Sequence, residues 1–335
     1  MIGSFSRRLW EFTGLCAVLV VISAVQAEAE DLRQFYEQIH AANRLDAKGQ
    51  TPFHIKIAAQ LYDLNGKPAG TGTAEEWWAA GRYRIELEGP NGKEIQTSDV
   101  ATSEATPSHV QRSNYLLHVL LDQNVNPLSD LPERAKILRV DREFEQTKFR
   151  CLSVDLDDSL YCTPLAGTDL RVLAKNASYV GLRNQIGRFH GSTVALKTAS
   201  MYGNKPAVTG EVTLLQNFDS SSSSFPEFQV AGVPVDEPKS TANGQRGVTA
   251  GHPLSHPSPE YPETAKLGHI RGTVDLIGII TREGRIGSID VLASPSPILS
   301  NAVLDAIRKW TFTPYLLNGK VTEVTEVFQF NFLGH

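Results

Sequence analysis

The stretch Gly272-Thr273-Val274-Asp275-Leu276-Ile277-Gly278-Ile279-Ile280-Thr281 decides how the last quarter of the chain folds. In a strand of period two, Val274, Leu276 and Ile280 fall on one side, and Ile277 and Ile279 on the other. A strand apolar on both sides is central, or covered on both faces. Glu283-Gly284 supplies a hairpin turn, so residues 286–293 are expected to return as a second strand. Ser294-Pro295-Ser296-Pro297 ends it, because proline has no amide hydrogen for a ladder. Leu299, Val303, Ala306, Ile307 and Trp310 then recur at spacings of three and four, the stripe of an amphipathic helix. Ser300 is the expected N-cap, Arg308 and Lys309 lie where the helix dipole favours cations, and Pro314 forbids continuation. Asn318-Gly319 turns the chain into a last strand over 321–332, where Val324, Phe328, Phe330 and Phe332 alternate with Thr325, Gln329 and Asn331.

An amphipathic strand that closes a domain, with Thr325, Val327 and Gln329 outward, can present an edge to which an extended peptide adds. Such an edge can equally be covered by a symmetric partner or by the chain's own linker. The same region carries a family resemblance. Tyr261-Pro262-x-x-Ala265, Gly272-x-Val274, Gly284, Trp310-x-Phe312-x-Pro314, Gly319 and Phe328-x-Phe330-x-Phe332 follow one another in the order that resembles the TonB C-terminal domain family. The resemblance covers only residues 261–332. It implies a small ββαβ domain that binds a partner peptide in the periplasm, without catalysis. It also implies that the short N-terminal box of an outer-membrane TonB-dependent transporter is held by strand addition. The matching positions are Val324, Thr325, Glu326, Val327, Phe328, Gln329, Phe330 and Asn331.

The chain has 335 residues, long enough for two domains and a linker. Its 41% hydrophobic and 21% charged residues are ordinary for a globular protein, and a net charge of -5 makes no electrostatic case for nucleic acid. Arg7 and Arg8 precede an apolar run over 12–25, and Val25-Gln26-Ala27 resembles a signal-peptidase site. Residues 1–27 are therefore expected to be a cleaved secretory signal, which places the protein in the periplasm. The alternative, which the TonB resemblance favours, is a retained inner-membrane anchor with motor proteins as partners. The run falls short of the roughly 20 apolar residues a spanning helix needs.

Cys16 leaves with that signal. Cys151 and Cys162 flank Asp157-Asp158 in a segment that alternates like a hairpin, which in an exported chain suggests a disulfide, with two buried thiols as the alternative. Two thiolates without a neighbouring histidine do not make a metal site.

Residues 28–216 are expected to form an antiparallel β-sheet domain with a helical insertion, giving the whole chain an α+β class. A helix is expected over 30–44, with Leu32, Phe35, Ile39 and Ala42 on one face. Strands follow over 53–64, 71–79 and 83–88, with a turn at Asn65-Gly66. Residues 116–121 and 135–138 read as helical. Strands resume over 148–156, 160–165, 177–185, 187–191, 193–201 and 207–216. Trp77 and Trp78 point to opposite faces, one into the core and the other outward. Asn65-Gly66, Trp77-Trp78 and Tyr83-Arg84-Ile85-Glu86 resemble the LolA/LolB-like lipoprotein carriers, whose half-barrel covers an apolar cavity. That resemblance implies lipid or lipoprotein binding; a β-sheet domain without a cavity remains the alternative. Residues 217–258, with a serine run at 220–224 and scattered prolines, read as a flexible linker before the domain over 259–335. The linker lacks the Pro-Glu and Pro-Lys repeats of the TonB family.

No Gly-x-Ser-x-Gly, His-Glu-x-x-His, phosphate loop or Cys-x-x-Cys is present, so no catalytic, cofactor or metal residue is assigned. His252 and His256 are each followed by a proline, Pro253 and Pro257, which argues against the helix a metal pair would need. Asp155, Asp157 and Asp158 lack the remaining ligands of a calcium loop and read as a solvated turn. The expected function is that of an exported binding protein whose C-terminal module recruits a peptide or transporter. The rival is an envelope structural protein that uses the module to form a homodimer.

Overall fold

Alternation from Phe53 onward becomes strand after strand in the computed structural model, which describes residues 31–47, 49–79, 82–97, 111–144, 146–155, 159–175, 179–219, 248–249, 251–317 and 319–333. The expected signal over 1–27, most of the linker, and Asp157-Asp158 lie outside the described residues. Residues 31–43 form helix α1. Then come β1 (Phe53–Tyr62), β2 (Pro68–Ala79), β3 (Arg82–Gly89), β4 (Gly92–Thr97) and helix α2 (Arg112–Val125). After it run β5 (Ile137–Arg139), β6 (Arg142–Phe144), β7 (Thr147–Val154), β8 (Ser159–Pro164), β9 (Val172–Lys175), β10 (Tyr179–Phe189), β11 (Ser192–Tyr202) and β12 (Lys205–Asn217). Among the described residues these make one 12-stranded sheet, ordered β4-β3-β2-β1-β12-β11-β10-β9-β8-β7-β5, with β6 on β7. The first and last strands of the meander, β1 and β12, pair at its centre.

Two helices cover this sheet. Leu116, Leu117, Leu120 and Leu121 form one face of α2, and pack on Phe53, Ile55, Ile57, Leu87, Val194 and Val208. Each such leucine contributes roughly 2 kcal/mol by leaving water. α1 sets Tyr36 and Ile39 against Leu152, Val154, Tyr161, Leu170 and Leu173. Residues 135–138 are not helical: Ile137–Arg139 is a strand, because Ile137 pairs opposite Val154 and is buried in the same cluster. The two strands expected over 177–185 and 187–191 are replaced by one, β10, which runs unbroken from Tyr179 to Phe189.

Trp78 lies in the main core, stacked on Phe53. Trp77 is buried as well, against the expectation that one of the pair is exposed: His54 stacks on it at 4.5 Å and Phe218 packs beside it. Cys151 and Cys162 stand directly opposite each other on β7 and β8 and form a disulfide, with 4.0 Å between their α-carbons.

Among the described residues of this sheet domain, the charged side chains of Arg183 and Glu76 are buried. Arg183 of β10 is fully buried and donates to Asn43 Oδ1 at 2.6 Å, Leu170 O at 3.2 Å and Thr193 O at 3.0 Å. Glu76 of β2 lies between Ile55 and Ile85 on the core side. Burial, and then the charges of Asp46 and Asp122, push its carboxyl well above the usual value of 4.5. The native state therefore keeps a proton that the unfolded chain releases. Stability from this group is complete below about pH 4.5 and is lost as pH rises through the folded value. Glu76→Gln is expected to raise the melting temperature by a few degrees at pH 8 and to change it little at pH 4. Paired melts at the two pH values measure this, and equal shifts at both would refute a buried, protonated Glu76.

The C-terminal part contains β13 (Val248–Thr249), β14 (Pro253–Ser255), α3 (Glu263–Leu267), β15 (Gly272–Ile280), β16 (Ile286–Ala293) and α4 (Pro297–Ile307). It finishes with β17 (Thr311–Phe312), β18 (Tyr315–Leu317), β19 (Lys320–Thr322) and β20 (Val324–Phe332). β15 lies between β16 and β20, both antiparallel to it. The N-cap of α4 is Ser296, not Ser300: its Oγ accepts from Ile298 N at 3.1 Å, and Pro297 occupies the first turn. Ser300 is one turn inside, its hydroxyl donating back to Pro297 O at 3.2 Å. The expected strand over 321–332 divides at Glu323 into β19 and β20. Part of the stretch read as linker is ordered against this domain, for β13 pairs with β18 and β14 with β17.

Both faces of β15 are covered, as its composition predicts. Val274, Leu276 and Ile280 pack with Leu299, Val303 and Ile307 of α4. Ile277, together with Leu292 of β16, joins the core cluster of the N-terminal sheet instead.

Candidate partner-strand site

β20 is the end strand of its sheet, and among the described residues no further strand pairs beyond it. It runs against β15 in an unbroken register from Gly272 opposite Phe332 to Ile280 opposite Val324. Such a register keeps the two faces of the strand distinct along its whole length. Val324, Phe328 and Phe332 point into the α4 core. Phe330, half-buried on that side, meets Trp310 with ring centroids 5.5 Å apart. Trp310 also contacts Phe328, Phe312 and His256, and its Nε1 donates to Pro257 O at 3.0 Å.

The opposite face carries Thr325, Val327, Gln329 and Asn331. Two of these are drawn back over β15 by cross-strand hydrogen bonds. Thr273 Oγ1 donates to Asn331 Oδ1 at 2.6 Å, and Gln329 Nε2 donates to Asp275 Oδ1 at 3.1 Å. Val327, next to Gln329 on this face, lies opposite Ile277 and is 38% exposed. An added strand would thus meet an aromatic wall on one side and a single apolar contact on the other. Tyr315 lies near Glu326, and its hydroxyl is pushed upward by burial first and by that carboxylate second.

The other sequence candidates come to rest elsewhere. His252 and His256 flank the extended β14, which sets residues four apart about 13 Å from each other, too far to share an ion. His252 N donates to Thr313 Oγ1, whereas His256 lies edge-on to Trp310. Asp155 accepts from Lys136 N at 2.8 Å. Among the described residues no group of three His, Cys, Asp or Glu side chains is placed to hold a metal. Among those same residues no helix is long and apolar enough to cross a membrane. The aromatic wall was not assembled from the sequence, although Trp310, Phe312, Phe328 and Phe330 all stood in the motif. Only the packing of α4's C-terminus over β20 brings them together.

A family model described as the Gram-negative bacterial TonB protein C-terminal matches residues 257–333. Protein TonB of Pseudomonas aeruginosa is 34% identical over 110 residues, covering 32% of this chain and 32% of that protein. The chain thus spans about a third of this curated relative's length. The solution NMR structure of the Pseudomonas aeruginosa TonB C-terminal domain shares 34% identity, covers 26% of this chain and 86% of that one, and superposes with a TM-score of 0.23. A crystal structure of a LolA superfamily protein from Nitrosomonas europaea covers 55% of this chain and 93% of that one, at 9% identity and a TM-score of 0.34. Likeness at that level assigns nothing to the N-terminal domain.

Proposed function

We propose, from the premise that residues 257–333 carry a TonB C-terminal domain, that this chain is a periplasmic, non-enzymatic binding protein. Its C-terminal module holds an extended peptide at β20, the N-terminal segment of an outer-membrane transporter. The observation that carries this reading is the place of β20 at the end of its sheet, in continuous register with β15. An extended segment laid along Val324, Thr325, Glu326, Val327, Phe328, Gln329, Phe330 and Asn331 gains affinity from backbone hydrogen bonds. It gains selectivity from its alternate side chains, set against the Trp310–Phe330 wall and against Val327. In this reading residues 28–216 form a sheet domain that accompanies the module. Inner-membrane motor proteins become partners if residues 1–27 are retained as an anchor.

Hydrogen exchange of the full chain, with and without synthetic peptides copied from transporter N-termini, tests the proposal. Bound peptide is expected to slow exchange in residues 324–331. Val327→Asp is expected to weaken binding by about tenfold, since it sets a charge where the partner's apolar residue packs. Protection confined to other segments, or none with any peptide, would sink the proposal. Protection that grows with protein concentration alone would favour a homodimer through the same strand.

A further inference from the structure

α2 starts without a cap of its own. Gln111 makes no side-chain capping bond, and the first turn of the helix holds no acidic residue. The missing acceptor comes from the other domain: Asp290 Oδ2 of β16 accepts from Arg112 N at 2.9 Å. A carboxylate there satisfies an orphan amide and faces the positive end of the helix. The Arg112 side chain spans the same junction, with Nε donating to Leu292 O at 2.9 Å and Nη1 to Tyr62 O at 2.5 Å. Tyr179 of β10 donates its hydroxyl to Leu292 O at 2.9 Å, and Tyr202 of β11 donates to Thr273 O at 2.7 Å. Those acceptors are backbone carbonyls of β15 and of β16, the other outermost strand of the C-terminal sheet. Beneath them, Ile277 and Leu292 are buried in the N-terminal core.

We infer that the N-terminal domain is an edge guard: it closes β16 to strand addition and carries the C-terminal sheet as one body with itself. Leu292 O of β16 takes both Arg112 Nε and the Tyr179 hydroxyl, so this edge-strand carbonyl is already occupied where a further strand would pair, while the Asp290 and Thr273 contacts tie β16 and β15 to the N-terminal domain. The apolar contacts explain why β15 is buried on both faces. A sheet with one strand end guarded directs a partner to the other. On the peptide-binding reading above, a strand held at β20 is therefore coupled through β15 to the N-terminal domain. The module does not swing separately on the 217–258 segment.

Distances between the domains test this without any peptide. Spin labels at Lys93→Cys and Arg308→Cys, both exposed, report on the two domains in a full chain carrying Cys16→Ser. A single narrow distance is expected, and a broad distribution would overturn the inference. Ile277→Asp is expected to broaden it. Because that variant can also unfold the module, the milder pair Arg112→Ala with Asp290→Ala is read by hydrogen exchange. Exchange over residues 286–293 is expected to quicken at least tenfold, with residues 53–62 unchanged; an unaltered rate at 286–293 would equally overturn it. A narrow distance in a chain that binds no peptide leaves the guard standing and removes only the strand-addition reading.

Discussion

Arg183→Ala is expected to destabilise the protein by about 3–5 kcal/mol, the larger part of the stability of an ordinary domain. Three consequences combine at this site. The Leu170 and Thr193 carbonyls each lose a donor in a place water does not reach, Asn43 loses the contact that ties α1 to β10, and the side-chain volume becomes a void. Burial lowers the guanidinium to about 9, so it is still charged at neutral pH and its hydrogen bonds are charge-assisted. Arg183→Lys is not expected to restore the loss, since one ammonium does not reproduce a planar fork directed at three acceptors. Arg188→Ala is the control. Its ion pair with Asp169 is about half exposed and its other contact is to the Thr193 hydroxyl, not to the carbonyls that Arg183 serves, so its removal is expected to cost about 1 kcal/mol. Urea midpoints of the four proteins decide the matter. Equal losses at Arg183 and Arg188 would show that the buried network contributes nothing.

Gly284→Ala is expected to cost the C-terminal module about 3–4 kcal/mol and with it any peptide binding. Gly284 closes the turn between β15 and β16 at φ +72, a conformation glycine enters without strain. An added methyl would stand 2.0 Å from Phe312 O, on backbone that cannot rotate away. The same contact holds the hydrogen bond from Phe312 N to Gly284 O at 2.8 Å, so relief of the clash breaks the link between the hairpin and β17. Gly319→Ala separates the two causes. Gly319 has nearly the same φ, +78, but nothing within 4 Å of the added carbon, so only the conformational cost of about 1 kcal/mol is expected. Hydrogen exchange over residues 272–293 at rising denaturant measures both variants, and an equal cost at the two sites would refute the packing argument.

Much of the C-terminal sheet was legible because its signals are local. Alternation in 272–281, the Glu283-Gly284 turn and the Phe328-x-Phe330-x-Phe332 run each depend on neighbours in sequence, and β15, β16 and β20 follow them. Cys151 and Cys162 were legible for a related reason, since a short hairpin sets its register from its own turn. The N-cap of α4 shows how a local reading fails. Ser296 and Ser300 both precede apolar residues, and the sign that separates them is Pro297, whose fixed φ suits the first helical position. The short strands at 248–249 and 253–255 were read as linker because they carry no apolar period. They are strands only because β17 and β18 offer them partners. One of Trp77 and Trp78 was expected to face outward, because alternation alone cannot foresee that Phe218, 141 positions from Trp77, returns to cover it.

The sequence by itself determined the alternation of most long strands, the stripe of α4, the turns at Asn65-Gly66 and Glu283-Gly284 and the amphipathic strand β20, because each is encoded within a few residues. It also showed that β15 needs cover on two faces, though not from where. Only the tertiary structure decided that the second cover is the N-terminal domain, that Asp290 caps α2, and that Trp310 walls the outer strand. Those contacts join residues far apart in the chain, and their partners are chosen by shape and by buried donors and acceptors, which leave no period to read.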